Sequence, residues 1–348
     1  MNVFLIGGTN FIGPHVVRYL LTAGHSVMVF HRGQTLADFD ESVRVLRGAR
    51  ANLRDFRAPI QQFAPDVVVD MIGYTETDAQ TVIDTLRGLC ARVVVISSQD
   101  VYRARDILWG LERGEPDPTP LNEDAPLRSR YYPYRNTEFP GLPEDYDKIL
   151  VERTYLSAPE LQATILRLPM VYGPGDPLYR FAAYLHRMEQ QRPVILLEET
   201  LAHWRSSYGY VENVAWGIAL AVNHPLPKNA VFNLSETEPL NEQERLRLIG
   251  QVSGWPGKVA TIHRAALPES CQLPFNLTQD WVTDSSRIRQ GLGYQEPVSR
   301  SEALQLTLTW QRSHMPTDLS QSASAMTLLD EALEDELIQE NFPNLPDD

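Results

Sequence analysis

The sequence predicts an α/β protein: a doubly wound, mostly parallel sheet with a smaller, mixed C-terminal lobe. Three observations predict it. In the first half, short Val/Ile-rich runs alternate with stretches of helical period, as in successive βαβ units. Those runs lack polar alternation, which suits strands covered on both faces. The first run also ends in a glycine-rich turn that opens directly into a helical stretch.

Taken in order, Val3–Ile6 is a short buried strand. The spacing of Val17, Leu20 and Leu21 predicts a helix from about Pro14 to Ala23, with Gly24 as its C-terminal stop. Val27–Phe30 and Val43–Leu46 read as the second and third strands, and Asp66–Met71 and Arg92–Ile96 as the next two, with a helix from about Thr77 to Leu89 between them. Residues 103–145 are rich in Pro, Arg and Tyr and hold no lasting period. A helix is expected from about Tyr146 to Leu156, a sixth strand at Thr164–Leu168 and a seventh at Ala230–Leu234. Residues 169–205 and 236–310 are mixed and broken by proline, so they are expected to form the smaller lobe, with 206–235 returning to the sheet domain of 1–168. The stretch 311–348 is an acidic tail in which Met326, Leu329, Leu333 and Leu337 recur at helical spacing, either as a docking face for a partner or as a face packed back on the body.

The chain has 348 residues, 31 Lys+Arg against 45 Asp+Glu, and a net charge of −14. From Met315 onward there are nine acids and no Lys or Arg, so residues 1–314 carry only −5. The acidity is largely a property of the tail, and it argues against general nucleic-acid binding. Cys90 and Cys271 stand far apart with no CxxC, which fits a reducing, cytoplasmic compartment and excludes a thiolate metal site. The eight histidines show no HxH or HExxH spacing, and no GxSxG elbow occurs. No apolar run approaches the roughly 20 residues of a membrane span, and the N-terminus lacks the basic start of a secretory signal.

Residues 7–13 read Gly-Gly-Thr-Asn-Phe-Ile-Gly. Gly7 is placed to turn the chain with a positive φ, and Gly13 to let helix and strand approach closely. The free N–H groups of Thr9, Asn10, Phe11 and Ile12 at the helix start then face a pyrophosphate, aided by the helix dipole. This is the Rossmann-type arrangement for a dinucleotide. An acid at the end of the second strand would hold the ribose 2′-hydroxyl of NAD. Here His31-Arg32-Gly33 stands instead, and Arg32 beside a 2′-phosphate favours NADP, with NAD as second choice.

At this point the chain resembles the short-chain dehydrogenase/reductase superfamily, most of all its extended NAD(P)-dependent epimerase/dehydratase branch that acts on nucleotide sugars. Six segments carry the resemblance in order: GGTNFIG at 7–13, SSQDVY at 97–102, PLNEDAP at 120–126, RLPMVYGPGD at 167–176, YVENVAWGIALAV at 210–222 and DSSRIRQGLGY at 284–294. The GGTxFIG turn followed by an xRG turn also resembles an atypical subgroup that includes chloroplast stem-loop-binding proteins, some linked to RNA.

The resemblance implies a Ser, a Tyr and a Lys as the catalytic set. Tyr acts as general acid or base, Lys holds the nicotinamide ribose and lowers the Tyr pKa, and Ser bonds the reacting oxygen. Ser98 falls on the family's serine, its alternative being a cap at the strand end, and Lys148 falls on the lysine. The tyrosine position, four residues before Lys148, is occupied by Glu144, and Tyr146 stands only two residues before Lys148. In a regular helix that spacing is about 200° around the axis, so the pair would not share a face. Three solutions stay open. The first turn is irregular and aims Tyr146 inward, a tyrosine of the cluster at 131–134 folds in, or Glu144 itself is the base. Loss of the redox chemistry is the fourth.

The resemblance further implies substrate contacts at Tyr102 and Arg205 and an adenine-binding acid after the third strand, where Ala49 stands and Asp55 is the nearest substitute. The basic, aromatic stretch 128–135 is open to anion or base stacking, or is simply a solvated loop. The function expected is an NAD(P)-dependent epimerase, dehydratase or reductase on a nucleotide sugar or similar hydroxyl/keto substrate. The alternative is a catalytically impaired member that binds the coenzyme and regulates, or binds RNA or protein. A homodimer is implied by the resemblance only.

Overall fold

The computed structural model describes residues 1–35, 38–137, 141–226 and 228–342. Its elements in chain order are β1 (Asn2–Ile6), α1 (Ile12–Thr22), β2 (Ser26–His31), β3 (Arg44–Arg47), α2 (Arg57–Phe63), β4 (Val67–Asp70), α3 (Glu76–Leu86), β5 (Arg92–Ser98), α4 (Arg103–Leu108) and α5 (Lys148–Ser157). There follow β6 (Gln162–Leu168), β7 (Met170–Tyr172), α6 (Ala182–Glu189), β8 (Val194–Glu198), α7 (Glu199–His203), β9 (Tyr208–Tyr210), α8 (Val211–Asn223), β10 (Ala230–Asn233), α9 (Glu242–Ser253), β11 (Lys258–Ile262), α10 (Ser286–Leu292), α11 (Arg300–Ser313) and α12 (Glu331–Asn341).

Seven strands form one parallel sheet in the order β10-β6-β5-β4-β1-β2-β3. Alternate residues of each strand point to opposite faces. Val3 and Leu5 join the layer of α1 and α8, whereas Phe4 and Ile6 join that of α2, α3 and α5. Both layers are apolar, which is why the strand sequences carry no polar alternation. Strand order reverses between β1 and β4, and the crevice at their carboxyl ends is where a doubly wound sheet binds its ligand. Outside this sheet stand two small parallel pairs, β8 with β11 and β7 with β9.

The described part of the acidic tail packs back on the β8–β11 pair. Its helix begins at Glu331, capped by Asp330, and not at Met326 as the spacing suggested; Met326 lies in a single 3₁₀ turn and is exposed. Leu337 is buried against Val194, Leu196 and Ile262, with Leu329 and Leu333 beside it. Glu334 is buried, accepts from the Leu196 N–H at 2.7 Å and pairs with Arg187.

Candidate active site

The glycine turn joins β1 to α1. Gly7 takes φ +89° and donates to Phe30 O at 2.8 Å, which fixes the turn to the end of β2. A Cβ on Gly13 would lie 2.2 Å from Gly8 Cα, so no other residue fits without moving backbone. No side chain caps α1 and no acid lies in its first turn, leaving its free N–H groups and positive dipole end to an anion. Thr9 is half-buried, Asn10 exposed, and Phe11 and Ile12 half-buried around that opening; Phe11 itself holds a strained φ of +47°. Across the mouth, His31 accepts from the Gly33 N–H at 3.0 Å, while Arg32 is exposed with no acid paired to it among the described residues.

On the other side of the crevice α5 begins later than its sequence period suggests, at Lys148. Asp147 is the reason. Its carboxylate caps Ile149 and Leu150, accepts from the Tyr132 N–H, and is gripped twice by the buried Arg128 at 2.9 and 3.1 Å. Tyr146 therefore precedes the helix and turns inward. It is 5% exposed, and its hydroxyl donates to Asp100 Oδ2 at 2.8 Å. Tyr134 also folds in, donating to the same oxygen at 3.3 Å, while Asp100 Oδ1 is buried without a partner. Lys148 Nζ donates to Gly73 O at 2.7 Å and Ile96 O at 2.8 Å, and lies 5.9 Å from the Tyr146 ring centre. Burial pulls the Lys148 ammonium down to about 8 against the opposing charges of Asp70 and Asp100. Burial, then the adjoining Asp100 carboxylate, hold the Tyr146 phenol well above its ordinary 10.0.

Several expected site residues stand elsewhere. Glu144 is exposed; its main-chain carbonyl accepts from Arg135 Nε at 3.3 Å, and its carboxylate holds no partner among the described residues. Tyr102 is fully buried, its hydroxyl between Asn233 at 2.7 Å and Arg167 at 3.0 Å, a packing role that leaves nothing for a substrate. Arg205 is tied to Asp280 at 2.9 Å on the surface. Ser98 Oγ accepts from the Asp100 N–H at 3.1 Å, so it does cap the turn that follows β5 and so orients Asp100. Ala49 and Asp55 are both exposed. Arg128, expected in a solvated or anion-binding stretch, is instead buried beneath the site.

Two residues escaped the sequence reading. Asp100 had a signal, an acid two residues past the end of an apolar strand. Asp70 had another, an acid closing the all-valine β4. It is fully buried, held by both Arg50 Nη atoms at 2.7 and 2.6 Å and by the Tyr155 hydroxyl at 2.6 Å.

Residues 3–235 match the sequence profile of the NAD dependent epimerase/dehydratase family. The chain is 23% identical over 269 residues to chloroplast stem-loop binding protein of 41 kDa b of Arabidopsis thaliana, an alignment that covers 73% of this chain and 64% of that one. It is 26% identical over 265 residues to 2'-dehydrokanamycin reductase of Streptomyces kanamyceticus, covering 74% and 68%. Among solved structures, UDP-glucose 4-epimerase of Thermotoga maritima with UDP-glucose superposes with a TM-score of 0.65 at 17% identity, covering 91% of this chain and 100% of that one. UDP-glucose 4-epimerase of Thermus thermophilus in complex with NAD gives 0.62 at 21%, covering 90% and 99%. With the glycine turn, the sheet order and the match over residues 3–235 together, the chain belongs to the NAD dependent epimerase/dehydratase family.

Proposed function

We propose that this protein is an NADP-dependent member of the family that interconverts a secondary hydroxyl and a ketone by hydride transfer, as an epimerase, dehydratase or reductase, on a nucleotide-linked sugar or a similar hydroxyl substrate. The observation that carries it is the buried Asp100–Tyr146 pair beside Lys148, across the crevice from the uncapped start of α1. The chain's residues fit a dinucleotide. Gly13 clears room for its diphosphate, α1 offers free N–H groups, and Arg32 is unpaired where a 2′-phosphate would lie. Lys148 is the residue to hold the nicotinamide ribose. Bound there, the coenzyme supplies the carbon that gives or takes hydride.

The proton chemistry is unlike that of a tyrosinate. Tyr146 is held protonated by burial and by Asp100, so it works as a relay. It takes the proton of the substrate hydroxyl on its oxygen while its own proton passes to Asp100 Oδ2, 2.8 Å away. In the reduction direction both protons return. Such a positioned acid–base pair contributes roughly 10²–10⁴ in rate. Asp100→Asn and Tyr146→Phe are each expected to lower kcat by about that factor while leaving NADPH affinity within twofold, measured by steady-state kinetics and calorimetry. A wild-type rate in Asp100→Asn contradicts the relay.

The second reading is coenzyme binding without turnover. It is favoured by Lys148 Nζ, which is already committed to two carbonyl oxygens, and it predicts NADPH binding with no hydride exchange on any substrate. The two free cysteines agree with a cytoplasmic setting, and a homodimer is proposed on family resemblance alone.

A further inference from the structure

An apolar pocket lies in the C-terminal lobe beside this site. It is bounded by Trp109 after α4, Met170 of β7, Trp204 after α7, Phe275 and Trp281, and on its outer side by residues 323–327 of the tail. Trp281 Nε1 donates to Gln99 O at 3.3 Å, which ties the wall to the residue after Ser98. Its charged groups and several of its hydroxyls are already committed. Arg180 pairs with Asp176, Glu242 accepts from Tyr184 at 2.8 Å and pairs with Arg245, and Thr327 Oγ1 bonds Tyr184 at 2.6 Å. Arg205, next to Trp204 in the chain, holds Asp280 as well. A diphosphate entering here meets no unpaired arginine or lysine among the residues that line the pocket.

The cavity measures about 160 Å³. An apolar cavity of about 150 Å³ accepts a single benzene ring. Aromatic walls add edge and face contacts beyond burial. The tail wall is firmly set: Ser322 Oγ donates to Tyr179 O at 2.7 Å, Ala323 N donates to Leu178 O at 2.9 Å, and α12 is anchored through Glu334.

We propose that, of the two substrate classes left open above, this pocket selects the one that is not nucleotide-linked: it takes one uncharged ring with an apolar face where a nucleoside diphosphate would otherwise lie, and tail residues Ala323, Ser324, Met326 and Thr327 are its outer wall. Calling the ligand a substrate rests on the oxidoreductase reading above; the pocket's ring preference does not.

The test is calorimetric titration of the full chain with indole as the neutral ring and UDP as the anionic nucleotide. Indole is expected to bind, UDP to give no heat and no displacement of indole, and Ala323→Trp to weaken indole at least tenfold with an unchanged thermal midpoint. If Ala323→Trp does not fold, Leu273→Trp, on another wall, fills the same space and is expected to do the same. UDP binding that displaces indole overturns the proposal, as does absence of indole binding or unaltered indole affinity in the filled variants. NADPH is titrated separately. Its failure to bind contradicts the oxidoreductase reading and leaves the ring pocket standing.

Discussion

At the scale of the residue, Lys148 and Arg32 make different predictions. The Lys148 ammonium is lowered to about 8 by burial, so it is charged below that pH and neutral above it. Coenzyme affinity should fall as pH rises through about 8, and Lys148→Arg, which keeps its charge, should remove that limb from a calorimetric pH series. The same shift fixes the sign for stability. The unfavourable burial of the charge is fully present below about pH 8 and fades between there and 10.5, where an unfolded lysine also loses its proton. Arg32→Ala should abolish a preference for NADPH over NADH in the same assay; a retained preference contradicts the 2′-phosphate assignment.

The residue scale also shows what the sequence could and could not disclose. The glycine turn at 7–13 was legible because its neighbours along the chain fix its conformation. Asp100 was not, because its importance comes from Tyr134 and Tyr146, 34 and 46 residues away, folding onto one carboxylate oxygen. Tyr102 misled for the converse reason. Its place in the motif is family-like, but Arg167 and Asn233, far along the chain, enclose its hydroxyl.

At the scale of the element, caps decided what periodicity could not. Asp147 starts α5 at Lys148 and so excludes Tyr146 from the helix, which is how two residues at unfavourable helical spacing reach one site. Asp330 likewise starts α12 past Met326. Beside its apolar stripe the tail helix buries Glu334, whose carboxylate meets Arg187, Arg192 and the Leu196 N–H. Removing one partner of such a buried network costs about 3–5 kcal/mol. Glu334→Ala should therefore release 319–342 to fast hydrogen exchange while protection in β1, β4 and β5 is unchanged. Equal loss of protection throughout would show that the tail and the sheet unfold as one unit.

At the scale of the whole molecule, the parallel order β10-β6-β5-β4-β1-β2-β3 brings the start of α1 and the end of β5 to the carboxyl end of the sheet, although 86 residues separate Ile12 from Ser98. The seven strands were legible to within a few residues: the central ones are apolar runs buried on both faces, whereas β3, at the edge of the sheet, reads Arg-Val-Leu-Arg and is largely exposed. The path of 103–137 was not, since its proline-rich chain is ordered by tertiary bonds such as Arg128 to Asp147. The central claim is that free main-chain amides at the start of α1 hold the diphosphate of a nicotinamide dinucleotide. Gly13→Ala, which forces a Cβ to 2.2 Å from Gly8 Cα, should weaken that binding at least tenfold. The most direct test is calorimetric titration of the full chain with NADPH and NAD⁺ at low salt. The account predicts saturable binding, tighter for NADPH. No heat with either coenzyme at millimolar concentration would contradict it.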